Sequence, residues 1–214
     1  AIGRAGAGTN NIPIKKMSER GIPVFNAPGA NANAVKELAI AGMLLGARNV
    51  CQASNYVSTL DLSGDTLNKA VEAGKKQFVG FELPGKTLGV IGLGAIGVEV
   101  ANTALSLGMQ VMGFDPAITV KNAWQLSSGV QQAESLDQLF QHSDFITLHI
   151  PLVDATRNIV NDSSFKIMKQ GAVLLNLARG EIVDNKAALA SLDNGRLHSF
   201  VTDFPTPELI KHPK

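Results

Sequence analysis

An α/β chain built on a doubly wound parallel sheet is the fold class the sequence predicts. Three observations carry it. Short apolar runs alternate with helix-length stretches through the second half of the chain, and strands separated by crossover helices make a parallel sheet covered on both faces. A glycine-rich turn, "LGVIGLGAIG" (Leu88–Gly97), falls between the first such run and the first such helix. The 214 residues, 45% of them hydrophobic, are enough to bury a core of that size.

Taken in order, "AIGRAGAGTNNI" reads as the end of a strand running into a glycine-rich turn, so the chain is expected to be a piece of a longer one, entered mid-fold. Pro23 to Asn26 predicts a short strand, followed by the turn-forming loop "APGANANA". From Ala34 to Val50 the apolar residues Val35, Leu38, Ala39, Ala41, Met43, Leu44, Leu45 and Val50 leave little polar face, which predicts a mostly buried helix. Residues 51–80 are polar and weakly periodic, an excursion from the core. The rhythm then becomes regular. Strands are predicted at Leu88–Ile91, Val111–Phe114, Phe145–Leu148, Ala172–Asn176 and near Ser199–Thr202. Helices are predicted at Ile96–Leu107, stopped by Gly108; at Leu136–Gln141, capped by Ser135; near Ser163–Met168; and at Asn185–Asp193, between Asp184 and Gly195. The last residues, "FPTPELIKHPK", read as a proline-rich connector with no closing element.

Composition narrows the function. Lys and Arg number 19 against 18 Asp and Glu, without the basic excess that tracks a nucleic-acid backbone, so no nucleic-acid partner is expected. The apolar run around Leu38–Leu45 is too short and too closely flanked by charge to cross a bilayer. The single cysteine, Cys51, cannot close an intrachain disulfide, and no Cys/His cluster has zinc-ligand spacing; a reducing cytoplasm and no metal are expected.

Two constellations remain. In the glycine-rich turn, Gly92 allows a tight turn, Gly94 lets the backbone approach a pyrophosphate, and Gly97 lets helix and strand pack closely. The amides near Ala95 and Ile96 would face the phosphates with the positive end of a helix behind them. The next strand ends in Asp115, placed to accept hydrogen bonds from a ribose diol and to repel a 2'-phosphate, which favours NAD over NADP. The bland alternative is a glycine turn and a solvated Asp. The second constellation is "NLARGEIVD" (Asn176–Asp184), which puts Arg179 at the carboxyl end of the sheet. A guanidinium there suits anchoring and polarising a 2-oxo or 2-hydroxy acid. Its alternative is a surface arginine paired with Glu181 or Asp184.

Together "GRAGAGTNNI", "GKTLGVIGLGAIG", "FDP", "SDFITLHIPL" and "NLARGEIVD" resemble the D-isomer-specific 2-hydroxyacid dehydrogenases over nearly the whole chain. The resemblance implies a Rossmann-type NAD-binding domain inserted into a substrate domain. Residues 1–30 would be the last part of the N-terminal substrate segment, 31–205 the NAD-binding domain with 51–80 as a dimerisation arm, and 206–214 the start of the return connector. A homodimer or higher homo-oligomer is implied. The wording lies nearest the members that oxidise 3-phosphoglycerate at C2. Lactate, glycerate or glyoxylate chemistry, or an NAD-sensing corepressor-like module, are the alternatives.

Residue by residue, the resemblance assigns the Ala5, Gly6, Ala7 and Gly8 amides to the substrate carboxylate and the nicotinamide region. Gly94, Ala95 and Ile96 would meet the pyrophosphate, in a cofactor-binding turn shaped by Gly92 and Gly97, and Asp115 would meet the adenosine ribose. Ile150 and Pro151 would line the adenine side, Leu177 and Ala178 the nicotinamide half, with Asp203 near the carboxamide. Arg179 would bind the substrate carboxylate and carbonyl oxygen. Glu208 resembles the acid that raises the pKa of a catalytic histidine, although "DFPTPEL" departs from the family wording. That histidine follows proline in the family, and His212 precedes its position; the chain is therefore expected to bind NAD but to be inactive alone. His142, His149 and His198 read as structural or solvent-facing.

Overall fold

A computed structural model of the chain describes residues 1–9 and 11–212. Strand β1 (Ile2–Arg4), helix α1 (Ile14–Glu19) and strand β2 (Val24–Asn26) form a small unit in which the two strands pair in parallel. Helices α2 (Ala32–Arg48), α3 (Val50–Ser58) and α4 (Gly64–Gly74) follow, the last running into a 3-10 turn at Lys75–Phe78. Alternation then takes over: β3 (Thr87–Ile91), α5 (Ala95–Ser106), β4 (Gln110–Phe114), α6 (Val120–Gln125), β5 (Val130–Gln132), α7 (Leu136–His142) and β6 (Phe145–Leu148). Helix α8 (Asp162–Ile167), β7 (Ala172–Asn176), a 3-10 turn at Gly180–Ile182, α9 (Asn185–Asp193), β8 (Leu197–Thr202) and α10 (Pro207–Lys211) complete it.

All six strands of the main sheet are parallel, in the order β5-β4-β3-β6-β7-β8. The chain builds outward from β3 in one direction and then restarts at β6 in the other. A crevice therefore opens between the carboxyl ends of β3 and β6, where open α/β sheets bind ligands. Side chains alternate between two cores. Val90, Phe145, Val173 and Leu175 meet α2 and α5 on one face; Ile91, Ile146, Leu148 and Leu174 meet α7, α8 and α9 on the other. β7 is buried along its whole length, as a strand covered on both sides must be.

Helix starts follow local chemistry. The Ser135 hydroxyl accepts from the Gln138 amide, the Asp184 carboxylate from Lys186 and Ala187, and Asn161 and Ser164 form a reciprocal capping box. The helix expected over 34–50 differs from its reading. It stops at Arg48, where Asn49 turns left-handed (φ 49°), and its buried face is small: Ala39, Gly42, Met43, Gly46 and Ala47. At Gly42 a side chain's Cβ would stand 3.0 Å from Val201, and at Gly46 3.0 Å from Val173, so α2 lies too close to β7 and β8 for anything larger. Leu38, Leu44 and Leu45, expected inside, are exposed.

Residues 51–80 are helical and carry their own contacts. The Tyr56 ring packs on Phe78 with centroids 5.4 Å apart, and its hydroxyl donates to the Ala70 carbonyl (3.1 Å). Helices α1 and α6 and strand β5 are additions to the sequence reading. So is α10, which lies within the expected proline-rich connector; the Thr206 hydroxyl caps it and Pro207 opens it. Pro213 and Lys214, the end of that connector, lie outside the described residues.

Candidate functional site

The turn after β3 has the geometry that dinucleotides require. Gly92 is left-handed (φ 92°) and donates its amide to the Phe114 carbonyl (2.9 Å), while a Cβ at Gly97 would stand 1.9 Å from the Gly92 carbonyl oxygen. Both positions exclude side chains. Gly94 is different: it caps α5, and nothing lies within 4 Å of where its Cβ would be. That space lies in front of the first turn of a twelve-residue helix, whose amides lack intrahelical acceptors and carry the positive end of the dipole. The cradle fits a pyrophosphate.

Asp115, half-buried at the end of β4, accepts the Leu93 amide on Oδ2 (2.8 Å) and the Ala117 amide on Oδ1 (2.9 Å). Beside it lies a cleft of about 160 Å³ lined by Leu93, Gly113, Ile118, Leu126, Val130 and two glutamines, Gln131 and Gln132. The sequence reading missed this wall because β5, three residues long, shows no usable period. Ile150 and Pro151 do not line this cleft; they lie at the end of β6, Ile150 packed on the second core. In the same segment His149 Nε2 lies 2.9 Å from the Thr147 hydroxyl, and burial pushes the imidazole pKa down to about 4. This is a neutral, structural histidine rather than a solvent-facing one.

At the end of β7 the buried Asn176 holds a turn. Its Nδ2 donates to the Arg179 carbonyl (2.8 Å), and its Oδ1 accepts the Ala178 amide (3.2 Å). Leu177, Ala178 and Arg179 are half-buried, and Arg179 Nη1 donates to the Ala178 carbonyl (2.6 Å). Among the described residues Arg179 forms no ion pair, and Asp184, one partner the sequence offered it, is engaged as the cap of α9. A guanidinium left without a carboxylate at the carboxyl edge of a parallel sheet is a ready anion site.

The end of β8 adjoins it. The Asp203 amide donates to the Asn176 carbonyl (3.3 Å), and a Cβ at Gly180 would stand 3.1 Å from the Phe204 side chain. Asp203 itself is exposed. Glu208, in the first turn of α10, is fully exposed; its own backbone amide and the Thr206 hydroxyl hold its carboxyl below the ordinary range.

The turn 5–8 is closed by Arg4, which donates from Nε to the Gly8 carbonyl (3.1 Å) and from Nη1 to the Ala5 carbonyl (3.0 Å). The Gly6 amide donates to the Arg4 carbonyl (2.9 Å). Ala27 donates to the Gly6 carbonyl (3.0 Å), and a Cβ at Gly29 would stand 3.3 Å from the Ala95 methyl. The turn is thus tied through residues 27–29 to the head of α5. Among the described residues no helix is long and apolar enough to cross a membrane.

Comparison with known proteins points the same way. Residues 40–214 match the family model of the D-isomer specific 2-hydroxyacid dehydrogenase, NAD binding domain. The chain is 41% identical over 202 residues to a D-3-phosphoglycerate dehydrogenase of Methanocaldococcus jannaschii, covering 94% of this chain and 36% of that protein. To a hydroxypyruvate reductase of Thermotoga maritima it is 40% identical over 213 residues, covering 97% of this chain and 64% of the relative. Among solved structures, the apo form of Rhodotorula graminis D-mandelate dehydrogenase superposes with a TM-score of 0.81 at 29% identity, over 98% of this chain and 61% of that one. The chain therefore spans between about a third and two thirds of the length of the proteins it matches.

Proposed function

The chain belongs to the D-isomer specific 2-hydroxyacid dehydrogenases, as an NAD-binding domain, and from that premise we propose that it serves the oxidation of D-3-phosphoglycerate at C2 in a longer protein. The observation that carries the chemistry is Arg179, half-buried and without a carboxylate partner, on a turn fixed by Asn176 beside a dinucleotide cradle. NAD, when bound, supplies the hydride acceptor. Gly94 and the first amides of α5 hold its pyrophosphate, and the Asp115 carboxylate takes the adenosine ribose on the lone pairs that Leu93 and Ala117 leave free. Ile150 and Pro151 flank the adenine, and Leu177, Ala178 and Asp203 the nicotinamide half. Arg179 forks onto the substrate carboxylate and stabilises negative charge on the oxygen that becomes a carbonyl. Glu208 orients a proton-accepting histidine contributed by the longer protein.

Residues 1–30 then belong to a substrate domain, 31–205 to the NAD-binding domain and 206–214 to the connector, while 51–80 form the arm of a homodimer. Phosphoglycerate is preferred on the closeness of the relatives that bear its name. Arg4 is occupied closing its own turn, so a phosphate on the substrate needs cations from elsewhere in the longer protein. A second reading keeps the reaction and changes the acid, favoured by the similarity to a hydroxypyruvate reductase and a D-mandelate dehydrogenase.

Titration of the 214-residue chain with NAD and NADP tests the cofactor assignment. Tighter binding of NAD is expected, and equal affinity for the two would remove the role given to Asp115. The same preparation should show no phosphoglycerate-dependent reduction of NAD; measurable turnover would mean that the chain holds its own proton acceptor.

A further inference from the structure

Leu93, the residue between the first two glycines of the turn, is held at two points by one strand. Its side chain, 6% exposed, lies over Gly113, where a Cβ would stand 2.9 Å from Leu93 Cδ1. Its amide donates to Asp115 Oδ2 (2.8 Å). Gly113 and Asp115 are two residues apart at the end of β4 and so present the same face. One position offers a hole for the leucine, and the other a charged acceptor for its N–H. The second carboxylate oxygen is anchored on the Ala117 amide (2.9 Å), so the acceptor itself is fixed. The adjoining Gly92 amide is pinned to the Phe114 carbonyl (2.9 Å), and the next residue, Gly94, faces open space.

From this geometry we propose that Gly113 and Asp115 together are positioning residues for the phosphate-binding turn: by seating Leu93 they set the backbone that meets the pyrophosphate. Asp115 therefore acts on both ends of the adenosine diphosphate half of the cofactor, on the ribose through its free lone pairs and on the phosphates through Leu93. Gly113 lines the same cleft as Leu93 and acts on the phosphates only through it. A hydrogen bond to a charged acceptor is stronger than one between neutral groups, and a buried leucine seated in a fitted hole resists displacement, so the two together hold the peptide plane at Leu93 in one orientation. The inference rests on the NAD reading of this site.

The test uses the whole 214-residue chain with adenosine, ADP and NAD as probes, measured by calorimetry or chemical-shift titration. In Gly113→Val the branched side chain fills the hole and displaces Leu93. Whatever adenosine loses by contact with the altered cleft wall, ADP and NAD should lose about tenfold more. Adding Leu93→Ala, which vacates the space again, should recover at least about half of that loss on the logarithmic scale. A merely structural defect would weaken all three probes together and would not be rescued by a second truncation. If the valine chain does not melt cooperatively, Gly113→Ala is read in its place, with about a threefold selective loss expected. Undiminished ADP binding in these variants, or equal weakening of adenosine and ADP, would overturn the inference. If the unaltered chain bound neither ADP nor NAD, the cofactor reading itself would fall, and the inference with it.

Discussion

Arg179 is the residue on which the proposed chemistry turns, and its surroundings say how replacement should behave. Its backbone is held by Asn176 and one guanidinium nitrogen by the Ala178 carbonyl, so the remaining donors point from a fixed base. In the longer protein, Arg179→Gln should lower kcat/KM by about 10²–10³, the loss typical of removing a donor from developing negative charge. Arg179→Lys, which keeps the charge and loses the fork, should recover only part of it. Steady-state kinetics with NAD in excess would show whether the loss falls on the acid substrate. His149 makes a different prediction. Its pKa falls from 6.5 to about 4 on folding, so the unfolded chain binds a proton in that interval that the folded chain refuses. Stability should therefore decrease as pH drops from about 6.5 towards about 4, by at most about 1.4 kcal/mol per pH unit, and level off below. Denaturant melts of His149→Gln should lose that slope; an unchanged slope would assign it to other groups.

At the scale of elements, what was legible followed from length and chemistry. β7 and α9 begin and end where hydrophobic pattern, the Asp184 cap and Gly195 place them, and β3, β4 and β6 need at most one added residue at an end. Elements of three to six residues, such as β5, α1 and α6, offer too few positions for a period of 2 or 3.6 to show. Helix α2 misled for another reason. Its leucines dominate any hydrophobic count, yet the sheet takes the glycine and alanine face, because close approach of backbones is decided by the absence of side chains. Gly46→Val puts two methyls into Val173 and Ser199 and should destabilise the fold by about 1–3 kcal/mol, read as a lower midpoint in urea.

Across the whole molecule, the parallel sheet brings the predicted groups to one edge although they lie far apart in sequence. Gly94, Asp115, Ile150, Arg179 and Asp203 all follow the carboxyl ends of strands, and that convergence was legible as soon as strands and helices were seen to alternate. What was not legible is the set of groups that hold them. Asn176 and Thr147 bond residues two or three places along the chain, contacts that no hydrophobic period records, and Gly113 meets Leu93 only once β4 lies beside β3. The proposed arm, 51–80, belongs to this scale too. With Tyr56 and Phe78 satisfying each other, it keeps a local core, while Leu38, Leu44, Leu45, Val50 and Val57 on α2 and α3 are left to solvent in a single chain. Deleting 51–80 should convert a dimer into a monomer in gel filtration; an unchanged elution volume per protomer would move the interface elsewhere.

The anchoring of the Arg179 turn on Asn176 bears on the timescale of the site. β7 is buried at every residue, and the turn that carries the guanidinium hangs from its last one. That turn resists fraying, as a surface loop does not, because its anchor is the last residue of a strand buried along its whole length. In hydrogen–deuterium exchange the amide of Ala178 should keep time with the interior of the sheet, and the amides of Ala7 and Gly8 should exchange far ahead of it. One half of the site thus has the lifetime of the fold, and the other half the lifetime of a loop.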